Sequence, residues 1–261
     1  MYFSENYKNN KFEINFINTN KYLIFKIPHF LNKENYEILK NNFPKIDKDR
    51  LKKFDIKKNN YKYRILSEDA DYEKLLERNF HLREFHNEIF SKNFFSYFFV
   101  NLKKQFFLSR KNDLRFLFKL IKPKSLDKTT SLFKTFVKRQ IEYSYIFNGG
   151  KIVPHTDSRS KLLSLMLYFP EAEEENNFND IERGSGTLFW NSDIKNLNNE
   201  HLTNTFDEKE FKKKSKKLFN IPFEKYHLFG FIRNEYSWHS VEKFDIREDY
   251  IRKSININFN I

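Results

Sequence analysis

The chain has 261 residues, 39% of them hydrophobic, with 32 Phe and 14 Tyr. That is enough apolar material for a sizeable core and excludes wholesale disorder. It contains no cysteine, which excludes disulfides, thiolate metal sites and cysteine nucleophiles, so any metal must be held by His, Asp or Glu. The formal charge of +13 fits an anionic partner such as nucleic acid, a phosphorylated substrate or a membrane surface. The same balance follows from coding bias alone, because Lys, Asn, Ile, Phe and Tyr are all products of AT-rich codons.

The opening stretch "MYFSENYKNNKFEINF" has no apolar h-region, so no secretory signal is expected. The most apolar run, "FFSYFFVNL" at 94–102, is too short for a transmembrane segment. A soluble, cytoplasmic protein is expected, with no sequence signal for an oligomeric state. "KYLIFKIPHFLNKENYEILKNNFP" predicts a strand, a turn and a short helix capped by Asn32 and ended by Pro44. From Asp69 to Phe107 apolar residues recur at helical spacing, among them Leu75, Leu76, Phe80, Phe85 and Ile89. A further helical piece, "DLRFLFKLI" at 113–121, mixes aromatic and basic residues and is expected to pack on the core rather than lie on a membrane.

From residue 134 the period changes. "TFVKRQIEYSYIF", "KLLSLMLYF", "GTLFW", "HLFGFI" and "KSININF" are short β-rich runs, with the turn formers "NGG" and "RGSG" between them. Two polar stretches interrupt them: the acidic "EAEEENNFNDIERG" at 171–184, expected as a loop, and the basic "DEKEFKKKSKK" at 207–217, expected as a solvated helix face or the border of a site. The prediction is one α+β domain over 1–261. Residues 1–133 are expected to be mainly helical, and residues 134–261 to form a sandwich or jelly roll with the helices packed on one sheet.

The chemistry is carried by "VPHTDSRSKLLSLMLYF", residues 153–169. His155 and Asp157 are two apart, so at strand spacing both reach one point. "YSWHSVEKFD" supplies His239 as a third ligand, and a set of two His and one carboxylate with open positions suits non-haem Fe(II). His81 and His86, five apart on a predicted helix, do not share a face, and His29, His201 and His227 lack an acidic neighbour at strand spacing. In the last strand Arg252, Ser254, Asn256 and Asn258 share one face, with Ile255, Ile257 and Phe259 on the other. A buried arginine requires an anionic partner, which a dicarboxylate supplies.

HxD, a distant His and then Arg-x-Ser is an order that resembles the Fe(II)- and 2-oxoglutarate-dependent dioxygenases, in their prolyl-4-hydroxylase-like branch. The resemblance covers roughly 140–261 through "NGGKIVPHTD", "LLSLMLYF", "GSGTLFW", "WHSV" and "RKS", and "IPHFLNKENYEILKNNFP" resembles that branch's first strand and helix. It implies a double-stranded β-helix core, with His155, Asp157 and His239 as catalytic iron ligands. It also implies 2-oxoglutarate and O2 as cosubstrates, Arg252 on the far carboxylate and Ser254 beside it. Tyr145 or Tyr143 would add a hydroxyl from the preceding strand, and Ser164 and Tyr168 would line the same pocket. The spacing from His239 to Arg252 is longer than is usual in this branch, which leaves Arg247 as the alternative arginine. The implied activity is hydroxylation of a small-molecule, glycan-pathway or peptide substrate. The carboxylate Asp157 argues against a halogenase, which leaves that position open for halide. Two other readings stand beside it: a non-catalytic jelly-roll protein binding a sugar or nucleic acid, and a nucleic-acid demethylase. Nucleic acid is disfavoured because the aromatic residues are not gathered near the triad.

Overall fold

The computed structural model describes residues 2–3, 12–19, 21–46, 62–110, 137–171, 184–195 and 208–261. The predicted helix at 113–121 and most of the acidic loop at 171–184 lie outside them. Eleven strands and five helices are found among the described residues. In chain order they are β1 (Asn15–Asn18), β2 (Leu23–Ile27), α1 (Lys33–Asn41), β3 (Lys62–Leu66), α2 (Ala70–Arg78), α3 (Phe80–Ile89), α4 (Lys92–Arg110), β4 (Lys138–Phe147), β5 (Ile152–His155), β6 (Lys161–Phe169), β7 (Thr187–Asn191), α5 (Glu208–Lys214), β8 (Lys216–Ile221), β9 (Leu228–Ile232), β10 (His239–Val241) and β11 (Ile251–Asn260).

Two antiparallel sheets are formed. The larger has the order β1-β2-β9-β6-β11-β4-β3, and the smaller β5-β10-β7-β8. The sheets face each other across an aromatic layer. Met166, Tyr168, Phe229 and Phe231 from the large sheet pack with Phe189 and Ile221 from the small one. The other face of the large sheet is covered by helices, where Leu82, Phe85 and Ile89 of α3 and Phe94, Phe98 and Leu102 of α4 meet Leu165, Ile257 and Phe259. Each fully buried Phe or Leu contributes about 1.5–3 kcal/mol. β9 runs between β2 and β6, and Gly230 is needed there. A Cβ at that position would lie 2.4 Å from the Phe25 ring and 2.8 Å from Leu165.

Strand alternation divides every central strand of the large sheet between these two environments. On β4, Ile141, Tyr143 and Tyr145 enter the helix-side core, while Glu142 and Ser144 line a pocket between the sheets. On β11, Ile255, Ile257 and Phe259 face the helices, and Arg252, Ser254, Asn256 and Asn258 line the pocket. That is the division expected from the sequence.

The first half of the chain is less purely helical than predicted. It contributes β1, β2 and β3, and all three extend the large sheet. α1 starts as expected: Asn32 Oδ1 accepts a hydrogen bond from the Asn35 backbone N–H at 2.8 Å, a cap worth about 1 kcal/mol. Within the basic run at 207–217, Glu208–Lys214 form α5 and Lys216 opens β8. Phe211 anchors that helix against Trp190 and Trp238, and Lys151 pairs with Glu208 at 2.6 Å beside β5. Among the described residues, no helix is long and apolar enough to cross a membrane.

Candidate active site

β5 is an edge strand, which is why it tolerates Pro154. It ends at His155, and Asp157 follows in the connection to β6. Their convergence therefore comes from the strand end and the turn after it, not from pleating alone. His239 opens β10 and pairs directly with His155 across the ladder. The ligand atoms of His155, Asp157 and His239 all lie within 4.8 Å of one another.

Each ring is aimed by the backbone. Nδ1–H of His155 donates to the Val153 carbonyl at 2.9 Å, and Nδ1–H of His239 donates to the Ser237 carbonyl at 3.0 Å. In this tautomer Nε2 of each ring carries a lone pair rather than a proton, as a metal ligand must. Burial lowers the pKa of His239, which favours the neutral ring that a ligand requires. Asp157 is buried and firmly held. Ser164 Oγ donates to Oδ2 at 2.7 Å, Lys161 Nζ to Oδ1 at 2.9 Å, and Arg233 Nε to its backbone carbonyl at 3.0 Å. Burial pushes its carboxyl up, but Lys161, His239 and His155 outweigh this and hold it well below the usual carboxylate range. A carboxylate and two imidazole Nε2 atoms converging on one point fit a divalent cation and leave room for further ligands.

The triad opens into a pocket between the sheets. At one corner of it sits Arg252, only 3% exposed. Its Nε donates to the Ser185 carbonyl at 2.6 Å, and its guanidinium lies 5.0 Å from the Tyr168 ring centre and 4.7 Å from that of Phe223. Burial lowers its pKa. Among the described residues no carboxylate lies within ion-pair distance of it. The Tyr168 hydroxyl shares a 2.6 Å hydrogen bond with Thr187 Oγ1 at the same corner.

No family profile and no curated protein matches the chain. Solved structures do match. A prolyl-4-hydroxylase from Pseudomonas putida shares 11% identity, covers 91% of this chain and 92% of its own, and superposes with a TM-score of 0.41. HygX from Streptomyces hygroscopicus, with nickel and 2-oxoglutarate bound, shares 8% identity over 91% and 82% with a TM-score of 0.41. A 2OG-Fe(II) oxygenase family protein from Burkholderia pseudomallei shares 9% over 57% of each chain with a TM-score of 0.27. The chemistry assigned below rests on the side chains of this chain.

The residues predicted from the sequence separate clearly. His155, Asp157, His239, Arg252, Ser254, Ser164 and Tyr168 all line the one pocket. Ser164 does so as a partner of Asp157. Tyr145 does not: its hydroxyl donates to the Pro44 carbonyl at 2.6 Å and its ring packs on Phe43, on the helix side of the sheet. Tyr143 lies on that side too, against Phe43 and Tyr72. The parity of β4 puts Ser144 and Glu142 in the pocket instead, and the tyrosine beside the arginine is Tyr168 of β6. Arg247 is exposed and paired with Glu171 and Asp249, so it faces away from the triad. His29 and His227 sit together at the surface beside Glu224, away from the pocket.

The polar pocket residues Lys62, Glu142, Ser144, Lys161, Thr187 and Ser240 escaped the sequence reading. For Glu142 the signal was present, because it stands between the apolar Ile141 and Tyr143 in a strand. Lys62 was hidden by the basic, asparagine-rich sequence before it.

Proposed function

We propose that the protein is an Fe(II)- and 2-oxoglutarate-dependent oxygenase that hydroxylates a small molecule. In this reading the two facing sheets are the halves of a double-stranded β-helix, a jelly roll. The observation that carries it is a pairing within one pocket: a convergent His-Asp-His donor set, and a buried arginine with no carboxylate partner among the described residues.

His155, Asp157 and His239 would hold the iron. When bound, Fe(II) supplies the redox chemistry that couples oxidation of 2-oxoglutarate by O2 to insertion of oxygen into a substrate C–H bond. The chain does the rest by position. Arg252 takes the far carboxylate of the keto acid through charge-assisted hydrogen bonds, with Ser254 beside it. Tyr168 and Thr187 fix that corner by their mutual hydrogen bond. Phe231 and Met166 give the pocket apolar lining, which limits water around the reacting groups. Ser164 keeps Asp157 oriented through Oδ2, and Lys161 balances the charge on Oδ1 until a cation takes its place. A carboxylate at this position occupies the space a halide would need, which favours hydroxylation over halogenation.

The test is succinate formation from 2-oxoglutarate in air with Fe(II). The wild-type protein should release succinate even without a primary substrate, slowly, and the Asp157→Ala variant should release none. Equal succinate from both proteins would overturn the assignment.

A further inference from the structure

The polar lining of the pocket continues along β11 beyond Arg252 and Ser254. Arg252, Ser254, Asn256 and Asn258 lie along one face of β11, and six residues of strand span about 20 Å. Arg252 and Ser254 occupy one end. The other end is a polar wall built by Asn256 and Asn258 with Lys62 of β3, Glu142 of β4 and Lys161 of β6.

This wall mixes charges and hydrogen-bonding senses at close range. Glu142 Oε1 accepts from Lys62 Nζ at 2.5 Å and from Asn256 Nδ2 at 2.8 Å. The Arg64 guanidinium stands 4.0 Å from Oε2. Glu142 is 5% exposed, and although burial raises its pKa, Lys62 and Lys161 bring it down to about 2. Asn258 is 1% exposed, and its Oδ1 has no hydrogen-bond partner among the described residues. Its Nδ2 reaches only Gln140, at 3.5 Å. A buried, unpaired amide oxygen costs about 1–3 kcal/mol, so its place in a ligand pocket needs a reason.

A ligand for this wall must satisfy ammonium donors and oxygen acceptors within one contact surface. A carboxylate would meet Glu142 and Asn258 Oδ1 with like polarity. An ammonium would meet Lys62 and Lys161. An apolar chain would desolvate the Lys62–Glu142 pair and leave Asn258 Oδ1 unpaired. A hydroxyl both donates and accepts, so a row of hydroxyls can match every group present. We propose that this wall binds the oxidised substrate and that the substrate is a neutral polyhydroxylated molecule, a sugar or cyclitol. That the bound molecule is also the one oxidised rests on the oxygenase reading; the binding itself does not.

The test is saturation-transfer NMR with five probes: methyl α-D-glucopyranoside, methyl β-D-galactopyranoside, myo-inositol, hexanoate and hexylammonium. It is run on the protein alone and on the protein with Zn(II) and 2-oxoglutarate, which cannot turn over. At least one polyol should bind more tightly than either charged chain. Asn258→Leu, which keeps the side chain's size and removes the unpaired oxygen, should fold normally and weaken that polyol at least tenfold. Absence of binding by all three polyols, binding of hexanoate or hexylammonium as tight as theirs, or unchanged binding in Asn258→Leu would each overturn the proposal. Polyol binding that persists in a protein unable to bind Zn(II) and 2-oxoglutarate would support this proposal while sinking the oxygenase assignment.

Discussion

His155 and His239 stand directly opposite each other across the β5–β10 ladder, with ring centres 4.3 Å apart. Two backbone carbonyls, of Val153 and Ser237, set both rings in the same tautomer. Such a pair gains little by contact alone, since stacked neutral rings contribute about a kcal/mol. It becomes purposeful when Asp157 closes the set.

Removal of Asp157 should therefore abolish metal binding and spare the fold. Loss of an outer partner of a metal ligand typically costs about 10–100-fold in affinity, so loss of a direct ligand should cost at least about 100-fold. Mn(II) titration followed by electron paramagnetic resonance reads this in wild type and Asp157→Ala. Mn(II) should also raise the Tm of the wild type and not that of the variant. An equal rise in both would place the metal elsewhere.

Lys161 competes with the metal for Asp157. Its Nζ lies 2.9 Å from Oδ1, while Ser164 holds Oδ2. A cation that ligates through Oδ1 must displace this ion pair, and a partly exposed pair is worth about 1 kcal/mol or less. The Lys161→Met variant should bind Mn(II) up to about fivefold more tightly. Weaker binding would mean that Lys161 mainly orients the carboxylate.

Arg252 and the triad should be separable. Charge-assisted hydrogen bonds contribute about 1.5–3 kcal/mol, and more when a buried partner is stranded. The Arg252→Ala variant should raise the 2-oxoglutarate dissociation constant by at least about tenfold and leave Mn(II) affinity unchanged. Arg252→Lys should recover only part of the loss, because a point charge does not reproduce the planar fork. Calorimetric titration gives both constants.

The site was legible in sequence where two signals coincided. His155 and Asp157 carried both metal-ligand chemistry and close spacing, and β11 alternated so strictly that the register of Arg252 followed. Tyr145 was misplaced because β4 is buried on both faces. Alternation there told which residues share a side, but not which side holds the pocket. The antiparallel pairing settles it: Ser144 lies opposite Ser254, and Tyr145 opposite Lys253. β3 was not anticipated: Lys62 and Arg64 follow a basic, asparagine-rich stretch, whereas the strand turns both toward Glu142. Burial of a charged pair is a tertiary fact that a local pattern does not carry.

Glu142 should make stability depend on acid. Its folded pKa, about 2, lies below the ordinary 4.5. A carboxyl depressed in the folded state stabilises fully above its unfolded pKa, and that contribution is lost as pH falls through the folded value. The shift corresponds to at most about 3 kcal/mol. Urea unfolding should show wild type well above Glu142→Gln at pH 6, with most of the gap closed at pH 3. A gap that does not change with pH would mean the Glu142–Lys62 pair adds nothing to stability.

The most direct measurement is anaerobic titration with 2-oxoglutarate, with and without Fe(II), followed by the visible charge-transfer absorption that a chelated 2-oxo acid gives. The wild-type protein should bind one 2-oxoglutarate per chain with that absorption only when Fe(II) is present. The signal should be absent in Asp157→Ala and require at least about tenfold more 2-oxoglutarate in Arg252→Ala. Failure of the band to appear, or an unchanged band in Asp157→Ala, would contradict the account.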